Sequence, residues 1–270
     1  MAAVTAMDPM AVGIVLFGIS LVLSWANSAT HVLHAEKLVY DRWASVLLQR
    51  PSNQRGAVLG ALTLVFVALT VGFCWQPGWT RHLCGWTLLG MMLMIRGWEI
   101  RQWNREIVVG LGKYVPTAAA TLAYLLTHAL VSGLAPSWNA DAAGWQAGCG
   151  VMAGSWGLAA WAKYVESGLV WSSAGNVALL VRERSFMGPR PLVRLRRWVS
   201  GQRPLCLMAA YVGFWGEAAG VAFVVPALRW PSAVFFTIFQ IGIMVLLGYY
   251  ELEWVMVMIA LAALGGGAVT

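Results

Sequence analysis

The chain alternates long apolar runs with short polar turns. A membrane-crossing helix needs about 20 apolar residues, and seven runs approach that character: Pro9–Thr30, Gly56–Trp75, His82–Ile95, Ile107–Leu134, Ala142–Lys163, Pro204–Ala227 and Pro231–Tyr249. An eighth, Trp254–Val269, is short and Gly-rich, and spanning, tilting back and re-entry all stay open for it. The period-two alternation of a barrel strand is absent. The pattern therefore predicts an all-α, polytopic integral membrane bundle of seven to eight transmembrane helices. Residues 1–270 read as a single transmembrane domain, with no internal repeat and no loop long enough for a separate soluble unit.

Composition agrees with the pattern. Hydrophobic residues make up 60% of the 270 and charged residues 11%, where soluble domains carry about 25% charged. One soluble core of this size could not hide so much apolar surface. Disordered chains and disulfide scaffolds are excluded on the same grounds. No basic segment precedes the first apolar run, so that run is expected to persist as an anchor and not to be cleaved as a signal.

The scarce charges supply an orientation. Sixteen of the 18 Lys and Arg fall in three alternate loops, around Lys37–Arg55, Arg96–Lys113 and Lys163–Arg203, leaving Arg81 and Arg229 on the other side. The positive-inside rule places those three loops in the cytoplasm and the N-terminus outside, in a plasma (inner) membrane. Charge shared among membrane-edge loops argues against a nucleic-acid partner; membrane lipids, and other membrane subunits, are the partners expected. Within 182–203, Leu192, Leu195 and Val199 recur at helical spacing among Arg194, Arg196 and Arg197. This reads as a basic interfacial cytoplasmic helix on the inner leaflet, which is also what a plain positive-inside loop looks like.

Most of the 16 Trp sit at predicted span ends, as an interfacial belt does. Trp145, Trp156, Trp161 and Trp215 lie within or near spans, where lining a pocket and facing lipid are both open. Cys74 and Cys84 flank a short outer turn, and a disulfide between them is an open alternative.

In a membrane bundle the ionisable residues inside spans are the informative ones. Glu217 falls near the middle of the sixth run, beside the small-residue pair Gly216 and Gly220. Its alternatives are a proton relay or ligand carboxylate and a structural ion pair. Lys163 and Glu166 share one helical face at the inner end of the fifth run. Lys163 either snorkels to the interface or, partly desolvated, serves as a base. Glu99 and Arg101, and the pair Glu251 and Glu253, lie on the same inner side. One composite site is expected there, with Lys163 and Glu217 catalytic and Trp161, Glu166, Trp171, Glu99, Arg101, Trp215, Glu251 and Glu253 binding ligand. No cysteine–histidine set has metal spacing, so no metal is expected. His82 with His128 is the one outer histidine pairing, and it is a weak basis for haem or another pigment. No P-loop, dinucleotide fingerprint or Ser–His–Asp order occurs.

The segment from Gly157 to Trp171 runs through small residues to Lys163, then Ser167, Gly168 and Trp171, with Asn176 following. It resembles a motif of the HTTM family, the membrane domain shared with vitamin K-dependent gamma-carboxylase. The stretch from Glu217 through Pro226, Arg229 and Trp230 to the aromatic run ending at Gln240 is also similar, so the resemblance covers roughly residues 145–265. It implies that Lys163 matches the lysine that deprotonates the hydroquinone in the carboxylase. Gln240 stands where that family would place a histidine, the carboxylase's large soluble domain has no counterpart in these residues, and the carboxylase site faces the lumen while charge places Lys163 on the cytoplasmic side. The expectation is a quinone or lipid site at the inner membrane side, with quinone as the one candidate cofactor and proton abstraction or redox-linked chemistry as its activity. A non-catalytic accessory subunit and a transporter are the alternatives.

Overall fold

The computed structural model describes residues 8–34, 52–102, 116–186, 188–248 and 252–266. Among the described residues the chain is helical, with no strand. The helices are α1 (Pro9–His34), α2 (Ser52–Trp75), α3 (Gly78–Gln102), α4 (Pro116–Leu134), α5 (Ala140–Ser167), α6 (Ala174–Glu183), α7 (Arg190–Ser200), α8 (Arg203–Ala219), α9 (Pro226–Leu247) and α10 (Leu252–Gly266). Tight 3-10 turns occupy Gly168–Ser172, Arg184–Phe186 and Gly220–Val224. Helix starts follow local chemistry. Pro116, Pro191, Pro204 and Pro226 sit at first turns, where a missing N–H costs nothing. Asn139 caps α5 by accepting the Ala142 N–H at 3.0 Å.

Among the described residues, five stretches are long and apolar enough to cross a membrane: Pro9–Thr30, Gln54–Trp75, Pro116–Leu134, Arg203–Val224 and Pro226–Leu247. The expected seven to eight divide accordingly. Helices α3 and α5, with 25 and 28 residues, are long enough at about 1.5 Å per residue but more polar. The fourth span begins at Pro116; residues 107–115 lie outside the described residues.

The eighth run becomes α10, 15 residues long and so about 22 Å. It lies in the middle of the bundle against α1, α4, α5 and α9. Val257, Ala260, Leu261 and Ala262 are fully buried, as expected for a helix that is apolar on every side. The approach to α1 is close: a Cβ on Gly13 would lie 2.8 Å from Leu264. Around α10 the core is aromatic. Phe17, Phe73, Tyr124 and Trp145 meet edge-on or tilted across α1, α2, α4 and α5. Trp25 stacks on Phe66 and donates its indole N–H to Thr63. Trp145 and Trp156 are thus core residues, while Trp161 and Trp215 are exposed.

The exterior is apolar too, with Leu64 75% and Ile238 66% exposed. Trp75, Trp79, Trp138 and Trp230 are exposed at helix ends and turns that the topology gathers at one end. Cys74 and Cys84 are free thiols, so the bridge left open by the sequence is not formed.

Within the basic segment 182–203, Arg190–Ser200 forms α7. Leu195 is 37% exposed, whereas Arg196, expected with Arg194 and Arg197 at the leaflet surface, is 1% exposed. Arg196 donates from Nε to the Val245 carbonyl at 2.8 Å and from Nη1 to the Arg184 carbonyl at 3.1 Å. It thereby caps the end of α9, where carbonyls lack helical partners. Gly248, at φ 73°, turns the chain away there.

Candidate functional site

Helix α8 runs antiparallel to the second half of α5 and brings Glu217 to Lys163. Nζ of Lys163 lies 2.5 Å from Oε2 of Glu217. The Glu217 side chain is 7% exposed and that of Lys163 22%. The approach depends on small residues. A Cβ on Gly220 would stand 2.5 Å from Trp156 of α5, and one on Gly216 would stand 2.6 Å from the Phe235 ring of α9. The small-residue face read from the sequence is thus the contact surface of α8 with both neighbours.

Past α5 the chain folds over Lys163. Gly168, at φ 57°, allows the abrupt change of direction into the 3-10 turn. That turn sets the Trp171 ring 5.3 Å from Lys163 Nζ, within cation–π range. The Ser167 hydroxyl donates to the Lys163 carbonyl, and Asn176 donates to the Val170 carbonyl, holding the turn. The ammonium therefore sits between a buried carboxylate and an indole face.

Beside this pair, α8 and α9 enclose an open apolar groove of about 540 Å³ lined by Tyr211, Trp215, Ala219, Leu228, Phe235 and Phe236 among others. Gly216 lines the groove and its neighbour Glu217 faces α5, so groove and ion pair lie on adjoining faces of one turn of α8.

The expected composite site is assembled only in part. Lys163, Glu217 and Trp171 come together, and Trp215 lines the neighbouring groove. Glu166, expected to join Lys163 on one face, is exposed. Trp161 is 61% exposed, with Tyr164 as its ring neighbour. Glu253 is buried in the first turn of α10, where a carboxylate favours the positive helix end. Glu251, and the side chains of Glu99 and Arg101, lie outside the described residues. No group of three or more metal-ligating side chains occurs among the described residues.

Of two further polar centres, one escaped sequence reasoning and the other was seen only as the outer pairing of His82 with His128. Arg229, expected in an outer turn, is 1% exposed inside the bundle. Its Nη2 donates to Gln146 Oε1 at 2.5 Å and its Nε to the Phe223 carbonyl at 3.5 Å. Gly265 of α10 leaves room for it, since a Cβ there would stand 2.5 Å from Nη1. The second centre joins Arg81, His82, Tyr124, His128 and Asp141 at the far end of α5. Arg81 and His82 near the start of α3, with His128 inside the apolar α4, were the available signal.

No family model matches the chain, and no curated protein or solved structure matches it either.

Proposed function

We propose that the chain is an integral membrane protein of HTTM type that takes an apolar ligand, a quinone or a lipid, beside α8, with Lys163 and Glu217 as its proton-handling pair. The observation that carries this reading is the 2.5 Å contact between Nζ and Oε2. A lone charge inside a bilayer costs roughly 2.5–3.5 kcal/mol on insertion scales, whereas an adjacent pair of opposite charges carries no net charge. Transfer of one proton from the ammonium to the carboxylate leaves an amine and an acid, still without net charge. The amine is then a base, and the acid holds the proton until the product is reprotonated. Glu217 is the deeper of the two; Lys163 keeps the more open side and is the group that meets a ligand. The groove supplies ring faces from Trp215 and Phe235 and very little polarity, which suits a prenyl or acyl tail.

The apolar helices and exterior support placement in a bilayer. The distribution of Lys and Arg supports an inner (plasma) membrane with the N-terminus outside. The contact of Trp171 with Lys163 supports the HTTM resemblance, because residues that the motif spaces along the chain form one spatial unit.

The test is to purify the chain in lipid nanodiscs and identify retained small molecules by mass spectrometry of solvent extracts. A quinone or lipid held in stoichiometric amount, lost in a Trp215→Ala, Phe235→Ala double variant, is the expected result. Ligand-dependent turnover should disappear in Lys163→Ala. Retention of nothing beyond bulk lipid, or turnover unchanged in Lys163→Ala, overturns the reading.

A further inference from the structure

At the opposite end of α5 from Lys163 lies a second polar centre. Positions 141 and 163 share this helix and stand about 33 Å apart at about 1.5 Å per residue. Oδ1 of Asp141 accepts from Arg81 Nη1 at 2.6 Å and from the Tyr124 hydroxyl, and lies 3.8 Å from Nε2 of His128. Arg81 also donates to the Tyr124 oxygen at 2.9 Å and to the Gln76 carbonyl at 3.1 Å. On the far side of its ring, His128 Nδ1 lies 2.9 Å from His82 Nε2 and 3.4 Å from the Ser132 hydroxyl.

These neighbours favour one pair of tautomers. An ionised carboxylate only accepts, so although 3.8 Å is beyond hydrogen-bond reach, its charge favours a proton on the His128 nitrogen that faces it. Nδ1 of His128 is then the acceptor, which agrees with the hydroxyl beside it. His82 must donate through Nε2, and a neutral imidazole carries one proton. Nδ1 of His82 is therefore the unprotonated nitrogen at the open end of the chain.

We infer that His82, His128 and Asp141 form a proton relay whose entrance is Nδ1 of His82. A proton arriving at that nitrogen allows the Nε2 proton to pass to His128 Nδ1, and the cation comes to rest on the ring facing Asp141. One proton enters, one hydrogen bond reverses its direction, and no other bond changes. The charged and titratable groups facing the two rings are Arg81 from α3, Tyr124 from α4 and Asp141 from α5. Arg81 and Tyr124 hold the carboxylate in place and so position the relay without carrying the proton.

The test uses the full chain in nanodiscs, labelled with nitrogen-15 histidine, and nitrogen NMR across a pH series. The wild type should show nitrogen–nitrogen coupling across the His82–His128 hydrogen bond, an unprotonated Nδ1 on His82, and movement of both rings at one common pH as a single proton enters. In Asp141→Asn, His128 should populate the Nδ1-protonated tautomer as well. The wild-type coupling needs no variant, so it stands even where Asp141→Asn fails to fold. A neutral His82 protonated at Nδ1, absent coupling with two separate titrations, or an unchanged His128 tautomer in Asp141→Asn overturns the relay.

Discussion

Lys163 Nζ meets Glu217 Oε2 at 2.5 Å, joining a residue near the end of α5 to one near the end of α8. Breaking such a pair from one side is costlier than removing it altogether, because the surviving charge stays buried. Glu217→Leu or Lys163→Met alone should cost about 3–5 kcal/mol, toward the lower figure for loss of the carboxylate because Lys163 keeps some solvent. The double variant should lie near wild type. Thermal unfolding in nanodiscs measures all three. Additive losses in the double variant would show that the two side chains are not coupled.

Gly220 is wedged against Trp156 and Phe236, with a prospective Cβ at 2.5 and 2.8 Å. Neither ring can yield easily, because the two are stacked on each other at 4.3 Å. Gly220→Ala should cost about 1–3 kcal/mol through overpacking. It should also loosen the Lys163–Glu217 contact, since Gly220 lies one turn from Glu217. Gly213→Ala, where a Cβ meets nothing within 4 Å, is the control. Comparison of the two melting temperatures checks the prediction; equal values would remove the close approach as the reason for glycine at 220.

Much of the fold was legible because apolar runs report on lipid-facing and buried helices alike. That same blindness hid what α10 is. A short apolar helix reads as a poor span when length is the criterion, yet α10 is the centre of the bundle. Lys163 and Glu217 were legible as candidates because an ionisable residue within an apolar run is conspicuous, and Trp171 because it closes the motif that begins at Lys163. Their distances were not legible, since residues 163 and 217 meet only through the antiparallel course of α8. Arg196 and Arg229 were misplaced for one reason. Sequence patterning sends arginine to water or headgroups, but amide and backbone oxygens can accept from a guanidinium and let it be buried.

Arg229 tests that last point. Its guanidinium donates to the Gln146 amide oxygen and the Phe223 carbonyl. Gln146→Leu removes the closer acceptor while leaving the guanidinium buried, and should cost about 1–3 kcal/mol. Gln146→Glu should restore the lost stability, because a carboxylate accepts the same bond with charge assistance. Chemical denaturation of both variants decides the matter. A Gln146→Leu variant as stable as wild type would mean that Gln146 contributes nothing to holding Arg229.

Arg196 and its neighbours on α7 should separate stability from lipid binding. Arg190, Arg194 and Arg197 are exposed, with Arg197 lying 5.6 Å over the exposed Phe186 ring, and Trp198 is 57% exposed beside them. Basic side chains flanked by aromatic anchors fit an anionic headgroup layer. Arg196 instead points inward to the carbonyls of Val245 and Arg184. Replacing Arg190, Arg194 and Arg197 together by Gln should lower retention of anionic over zwitterionic phospholipid by an order of magnitude or more, with little change in melting temperature. Arg196→Gln should do the reverse, costing about 2–3 kcal/mol by leaving buried carbonyls unpaired while lipid retention holds. Native mass spectrometry and thermal unfolding read the two effects separately. If Arg196→Gln and the triple variant behaved alike, the division of α7 into a structural and a lipid-facing side would fail.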